Sequence, residues 1–345
     1  MRNGFKVYII TTCAIAACVL FTQPAESEGS LNVLTTHTVL KSLAEEIGGG
    51  NISVSCLATG REDPHAISAK PSYMVSARRA DLFIKIGMEL EIGYEDLVID
   101  GSRNYKIRLG QPGHLDTSLN VVRLEVPTIR VDRSMGDVHP LGNPHYWMDP
   151  YNVRIMAHSI AERMAKLDPE HASEYEANLA GFTKRLDTAM FGEQLVSRFG
   201  GKMLWSLALA GTLDPHLKES GLENTAGGWY RQLKPLEGKN LITYHRSWGY
   251  FAGRFGLNIV AELEPKPGIP PSPGHLRYII QTAQHDQAEL ILMEPYYDRR
   301  AADFVAEKTH ATVVEATNAV GGQPGINDYF SLIDNVIRNL KEAAP

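Results

Sequence analysis

Cysteine is scarce in this chain. There are three in 345 residues, and two of them, Cys13 and Cys18, fall in the first 27 positions, leaving Cys56 alone in the β-branched stretch ISVSCLA. A single cysteine closes no internal disulfide. With no CxxC pair, a thiolate zinc site is excluded as well, and Cys56 reads as a small buried apolar residue. An HExxH helix is also missing, which removes the strongest enzymatic zinc signature. Blocks of like charge are absent: 34 Lys and Arg stand against 40 Asp and Glu, a net charge of −6. That balance leaves no electrostatic footprint for nucleic acid, which is therefore set aside as a partner. Beyond the N-terminus no run is apolar for long enough to span a bilayer, and neither a tandem repeat of fixed period nor a low-complexity tract is found.

The first 27 residues read as an export signal. Arg2 and Lys6 precede an apolar run from Val7 to Phe21, and Ala25 and Ser27 are small residues at signal-peptidase spacing. Export to the periplasm is the expectation. IAAC ending at Cys18 also resembles a lipobox, but the apolar VLF that follows and the later small-residue site suit ordinary cleavage better. The length of 345 residues exceeds the roughly 250–300 at which single cores stop growing, so two lobes are expected after the signal.

Short apolar runs alternate with helical patterns. LNVLTT, ISVSCLA, DLFIKIG and VPTIRVD read as strands in the first half, and KNLITYH, LNIVAELE, AELILMEP and ATVVEA in the second, with helices between them. Near-continuous apolar strands separated by helices imply parallel sheets covered on both faces. Between the two series, Tyr175, Leu179, Phe182 and Leu186 make one apolar stripe in a stretch opened by Asp168 and Pro169. It reads as one continuous helix to about Phe199. The expected fold is thus α/β with two lobes, each a parallel sheet flanked by helices: 28–167, a linking spine helix at 168–200, and 201–345, with a metal site in the cleft between lobes.

In open parallel sheets, ligands collect outside the carboxyl ends of the strands. Three of the twelve histidines lie at such places: His65 after ISVSCLA, His145 after VPTIRVD, and His245 at the end of LITYH. Neutral imidazole is the commonest protein metal ligand, and three with one open position suit four-coordinate zinc. Their spacing matches no local motif, so packing histidines remain the alternative on spacing alone. His145 sits in GNPHYWMDP, where two prolines stiffen its loop. His139, six residues before His145, and His216, in a second DPH tripeptide, are candidates for auxiliary ligands, and His37, at the end of the first strand, is a candidate to line the cleft. His158, His171, His285 and His310 read as helix-surface or packing residues, and His114 and His275 as loop residues without a partner.

DPHAISAKPS, GNPHYWMDP and TYHRSWGYFAGRFGL, in that order around a long helix, resemble the zinc- and manganese-binding solute-binding proteins of bacterial ABC importers. The resemblance covers nearly the whole chain after the signal and implies His65, His145 and His245 as metal ligands. Many relatives take a fourth ligand from an aspartate after the last strand, where this chain has Thr317 and Asn318. Glu294, ending LILME, is the substitute carboxylate to consider, with Asp328 and a water molecule as alternatives. The resemblance implies a monomeric, non-enzymatic protein that captures a divalent metal and delivers it to a membrane permease. Three imidazoles favour Zn²⁺ over the harder Mn²⁺. An exported zinc-dependent hydrolase and a metal-binding surface adhesin are the competing readings.

Overall fold

Two four-stranded sheets, every strand pair parallel, organise the chain. The computed structural model describes residues 30–129, 138–266 and 268–344. The expected signal at 1–27, with Cys18, lies outside these residues. The first sheet contains β1 (Leu31–Thr35), β2 (Ile52–Cys56), β3 (Leu82–Lys85) and β4 (His114–Asp116) in the order β2-β1-β3-β4. The second contains β5 (Asn240–Thr243), β6 (Asn258–Glu262), β7 (Leu290–Met293) and β8 (Thr312–Glu315) in the order β6-β5-β7-β8. The two orders are the same. In each sheet the chain reverses direction across the first strand, so β1/β3 and β5/β7 are topological switch points, whose carboxyl ends open into a crevice.

The inner strands are the most apolar because both faces are covered. Leu82, Phe83 and Ile84 in β3, and all four residues of β7, are buried, whereas the edge strand β2 alternates between half-buried and exposed positions. Cys56 ends β2 half-buried, with its thiol pushed up by burial to about 11, which leaves it unreactive. The helix Thr38–Gly48 returns from β1 to β2, and Pro71–Arg79 begins with Pro71 in its first turn as its sequence suggests. A single hydrophobic cluster runs from Val33 and Leu43 through Trp147, Met156 and Phe182 to Trp229, Val336 and Leu340. Smaller clusters cover the far face of each sheet, around Phe83 and Ile107 in one and around Ile291 and Val305 in the other.

Two expectations differ from the structure. VPTIRVD contributes no strand at Val126–Ile129, and its remaining residues lie outside those described; the fourth strand of the first sheet is the three-residue His114–Asp116. So short a run, beginning on a histidine, carries no period-2 signal. The stretch from Pro169 to Phe199 is not one continuous helix either: a 3-10 turn (Pro169–His171) leads into helices Ala172–Phe191 and Glu193–Phe199. The break falls at Gly192, whose φ of 85° and ψ of 148° are open to glycine alone. A Cβ there would come within 2.7 Å of Gly227 Cα, so a backbone approach from another element holds the interruption in place.

Candidate metal centre

Three local structures deliver the three histidines. His65 lies in the 3-10 turn Pro64–Ala66, where Pro64 presets the first residue and Asp63 Oδ1 accepts a hydrogen bond from the His65 amide at 2.9 Å. His145 sits between Pro144 and the turn Tyr146–Met148, and Asn143 Oδ1 accepts from its amide at 2.9 Å. His245 is two residues beyond Thr243, the last residue of β5. These residues, 80 and 100 positions apart along the chain, meet in space.

The ligand-capable atoms of His65, His145 and His245 all lie within 4.8 Å of one another. His65 Nε2 and His145 Nε2 are 3.2 Å apart. Zinc–nitrogen bonds of ~2.0–2.1 Å in a tetrahedron place neighbouring ligand nitrogens about 3.3–3.4 Å apart, so the rings already stand at ligating separation. Burial, reinforced by the neighbouring imidazoles, holds His65 and His145 well below the ordinary histidine range. Both are therefore neutral, the form that binds metal. His245 is shifted the other way: burial works to lower its pKa, but the Glu264 hydrogen bond and the charges of Glu294, Glu264 and Asp63 together raise it.

The ring tautomers follow from the hydrogen bonds. Asn143 Nδ2 donates to the Arg246 carbonyl at 2.7 Å, which leaves Oδ1 facing His145 Nδ1 at 2.8 Å. An amide oxygen only accepts, so Nδ1 of His145 carries the hydrogen and Nε2 presents a lone pair. The carboxylate of Glu264 lies 2.7 Å from His245 Nδ1 and imposes the same arrangement there. The sequence reading missed Asn143 and Glu264. Glu264 lies just past β6, so the strand-end rule that picked out the histidines would have reached it; Asn143 carries no such signal.

The remaining candidates separate clearly. Glu294 is fully buried, its Oε2 has no hydrogen-bond partner, and burial pushes its carboxyl up to about 7. It lies within electrostatic range of His245 but outside the group of three. Asp328 is committed elsewhere: it forms a capping box with Ser331 at the start of the helix Tyr329–Ala343. His37 caps the helix Thr38–Gly48 by accepting from the Val39 amide and packs on Trp147 with ring centroids 4.4 Å apart; burial lowers it to about 3. His139 stands next to the cluster, with Nε2 3.3 Å from His65 Nδ1. His216 packs against Phe199 within the helix Leu213–Glu219 and does not join the group. His114, expected in a loop without a partner, begins β4 and bonds the Ile107 carbonyl at 2.9 Å. His275 likewise has a partner, the Glu262 carbonyl at 3.0 Å.

Known proteins with the same pattern bear on this arrangement. The family model described as zinc-uptake complex component A, periplasmic, matches residues 33–190 and 220–343 and so takes in both sheets and all three histidines. The chain belongs to this family. Among curated members of the zinc-uptake component A family and its kin, the high-affinity zinc uptake system protein ZnuA of Brucella abortus is 25% identical over 203 residues, 58% of this chain and 50% of the relative. The chain thus matches about half the length of that relative. The iron-binding protein YfeA of Yersinia pestis is 22% identical over 96% of this chain and 91% of its own. The manganese ABC transporter substrate-binding lipoprotein PsaA of Streptococcus pneumoniae is 20% identical over 99% and 98%. Among solved structures, a crystal structure of ZnuA superposes with a TM-score of 0.66 at 22% identity, covering 91% of this chain and 99% of its own, which shows the shared fold. No helix among the described residues is long and apolar enough to cross a membrane.

Proposed function

We propose that this protein captures a divalent metal ion in the periplasm, with Zn²⁺ the preferred cargo, and passes it to the permease of an ABC importer without covalent chemistry. The observation that carries this reading is the convergence of three imidazoles, His145 and His245 buried and His65 half-buried, with ligand-capable atoms within 4.8 Å of one another; in two of them the Nδ1 hydrogen is already committed, which leaves Nε2 for the ion. The relatives named above are described as binding zinc, iron or manganese, so the metal must be argued from the donors. Imidazole suits zinc, whereas manganese sites lean on carboxylate oxygen, and no carboxylate belongs to the group of three. The fourth position falls to Glu294, whose unpartnered buried oxygen is the available acceptor nearest in character, or to water. A site that takes His65 and His145 from residues 28–167 and His245 from residues 201–345 fits a carrier that must later release its cargo.

The test is elemental analysis of protein purified without added metal, followed by competition between Zn²⁺ and Mn²⁺. Stoichiometric zinc that manganese fails to displace is the expected result. If wild type and the three histidine-to-alanine variants bind zinc equally, the reading is wrong.

A further inference from the structure

The three imidazoles share one requirement. With Nε2 turned to an ion, Nδ1 carries the hydrogen and needs an acceptor, and that outer partner orients the ring. His145 has the amide oxygen of Asn143 and His245 has the carboxylate of Glu264. At His65 the group facing Nδ1 is neither amide nor carboxylate but a fourth histidine: His139 Nε2 lies 3.3 Å away, with ring centroids 5.1 Å apart and planes tilted by 35°.

A neutral imidazole accepts at one nitrogen only while the other is protonated. His139 meets that condition, because its ring also hydrogen-bonds the backbone of Met88, which commits one ring nitrogen and leaves Nε2 to accept. The backbone at this point is unusual. Gly87, Met88 and Glu89 all have positive φ, at 84°, 52° and 66°, a conformation that strains the two non-glycine residues. Glu91, wholly buried, holds the turn by accepting from the Ile86 amide at 2.8 Å, the Gly87 amide at 3.0 Å and Thr36 Oγ1 at 2.7 Å.

We infer that His139 is a positioning residue for metal capture: it accepts the Nδ1 hydrogen of His65 and so turns the Nε2 of that ring toward the ion. The inference rests on the reading of His65 as a metal ligand. It also explains why one short segment, His139 to His145, closed by a hydrogen bond from the Gly142 amide to the His139 carbonyl at 3.2 Å, serves two ligands at once. It supplies His145 directly and holds His65 through His139.

The experiment measures Zn²⁺ affinity by chelator competition for wild type, His139→Ala, His139→Gln, His65→Ala and the double variant His65→Ala/His139→Ala. Imidazole nitrogen spectra of the zinc-bound protein accompany it. Loss of an outer partner typically weakens binding about ten- to hundredfold, so His139→Ala should fall in that range. His139→Gln, whose side-chain carbonyl can accept the same hydrogen, should recover most of it. In the His65→Ala background the second substitution should change nothing, and in His139→Ala the protected Nδ1 hydrogen of His65 should be lost while zinc stays on the same rings. Wild-type affinity in His139→Ala would overturn the inference, as would a loss equal to that of His65→Ala with no rescue by glutamine, the signature of direct ligation. Failure of the parent reading looks different, since His65→Ala would then bind zinc like wild type.

Discussion

The two sheets have the same strand order but equip the site differently. The first sheet's half of the chain contributes His65 and His145 from loops made rigid by proline, both neutral through burial. The second contributes His245 almost directly from the end of β5 and surrounds it with the carboxylates Glu264 and Glu294, both buried. Under the proposed reading, a dication held here meets two uncharged donors from one half and a donor backed by acidic groups from the other. One architecture used twice does not give two equivalent halves. What differs is the chemistry of the loops beyond the strand ends, which the sheet positions but does not specify.

Nor is the His145 loop independent of the second sheet. Asp149, four residues on, takes two hydrogen bonds of 2.7 Å from Arg254 in the helix Gly249–Phe255, and both side chains are nearly buried. Tyr250 of the same helix donates to the Asn143 carbonyl at 2.9 Å. His145 thus belongs by chain order to one half and by attachment to the other.

Breaking that attachment should have the largest effect. Arg254→Ala leaves Asp149 buried without its partner, and loss of one member of a buried ion pair costs roughly 3–5 kcal/mol. Urea unfolding should show a fall of that size, and a change below ~1 kcal/mol would mean that the loop does not depend on the second half. Next come the ligands. His65→Ala, His145→Ala and His245→Ala should each reduce zinc affinity by more than the ~100-fold upper range for outer partners, read by chelator competition. Should only the two first-half histidines matter, the site would not be shared between halves.

The carboxylate backing of His245 can be tested more finely. Glu264→Gln keeps an acceptor but removes the charge, so zinc affinity measured by titration calorimetry should drop within about ten- to hundredfold, and the same substitution in a His245→Ala background should change it little. An unchanged affinity would remove the distinction between a neutral and an acid-backed donor.

The smallest effect concerns stability against pH in the first half. Burial raises the Glu91 carboxyl to about 7 from an ordinary 4.5. The folded state therefore holds this proton more tightly than the unfolded chain, and the associated stability is complete below pH 4.5 and is lost as the pH rises through about 7. Glu91→Gln should flatten the wild-type decline over that window by at most ~1.4 kcal/mol per pH unit. Parallel stability profiles for the two proteins would show that the hydrogen bonds from Ile86, Gly87 and Thr36 keep the carboxylate ionised instead.

Seven of the eight strands among the described residues were legible: the inner strands β1, β3, β5 and β7 are covered on both faces and largely apolar, and the edge strands β2, β6 and β8 still carry short β-branched runs. The strand rule reached His65 and His245 from strands that exist, β2 and β5, whereas His145 was reached from VPTIRVD, which forms no strand at Val126–Ile129, so only the proline-flanked GNPHYWMDP motif points to it. β4 escaped notice because three residues hold no period, and the break at Gly192 escaped because an apolar stripe continues through it. The stripe reports which side faces the core. It says nothing of Gly227 pressing on the backbone from elsewhere in the chain.

The sequence by itself determined the alternation of apolar strands and helices, the places of His65 and His245 beyond strand ends and the stiffness that Pro64 and Pro144 lend their loops, because these depend on local residue chemistry. Only the tertiary structure decided that a ligand-capable atom of each of the three rings lies within 4.8 Å of the others, that Asn143, Glu264 and His139 stand behind the rings, and that Asp149 is tied to Arg254. Apart from the local pair Asn143 and His145, these meetings join residues from 19 to 180 positions apart, and they are set by how helices and sheets pack, which no local pattern records.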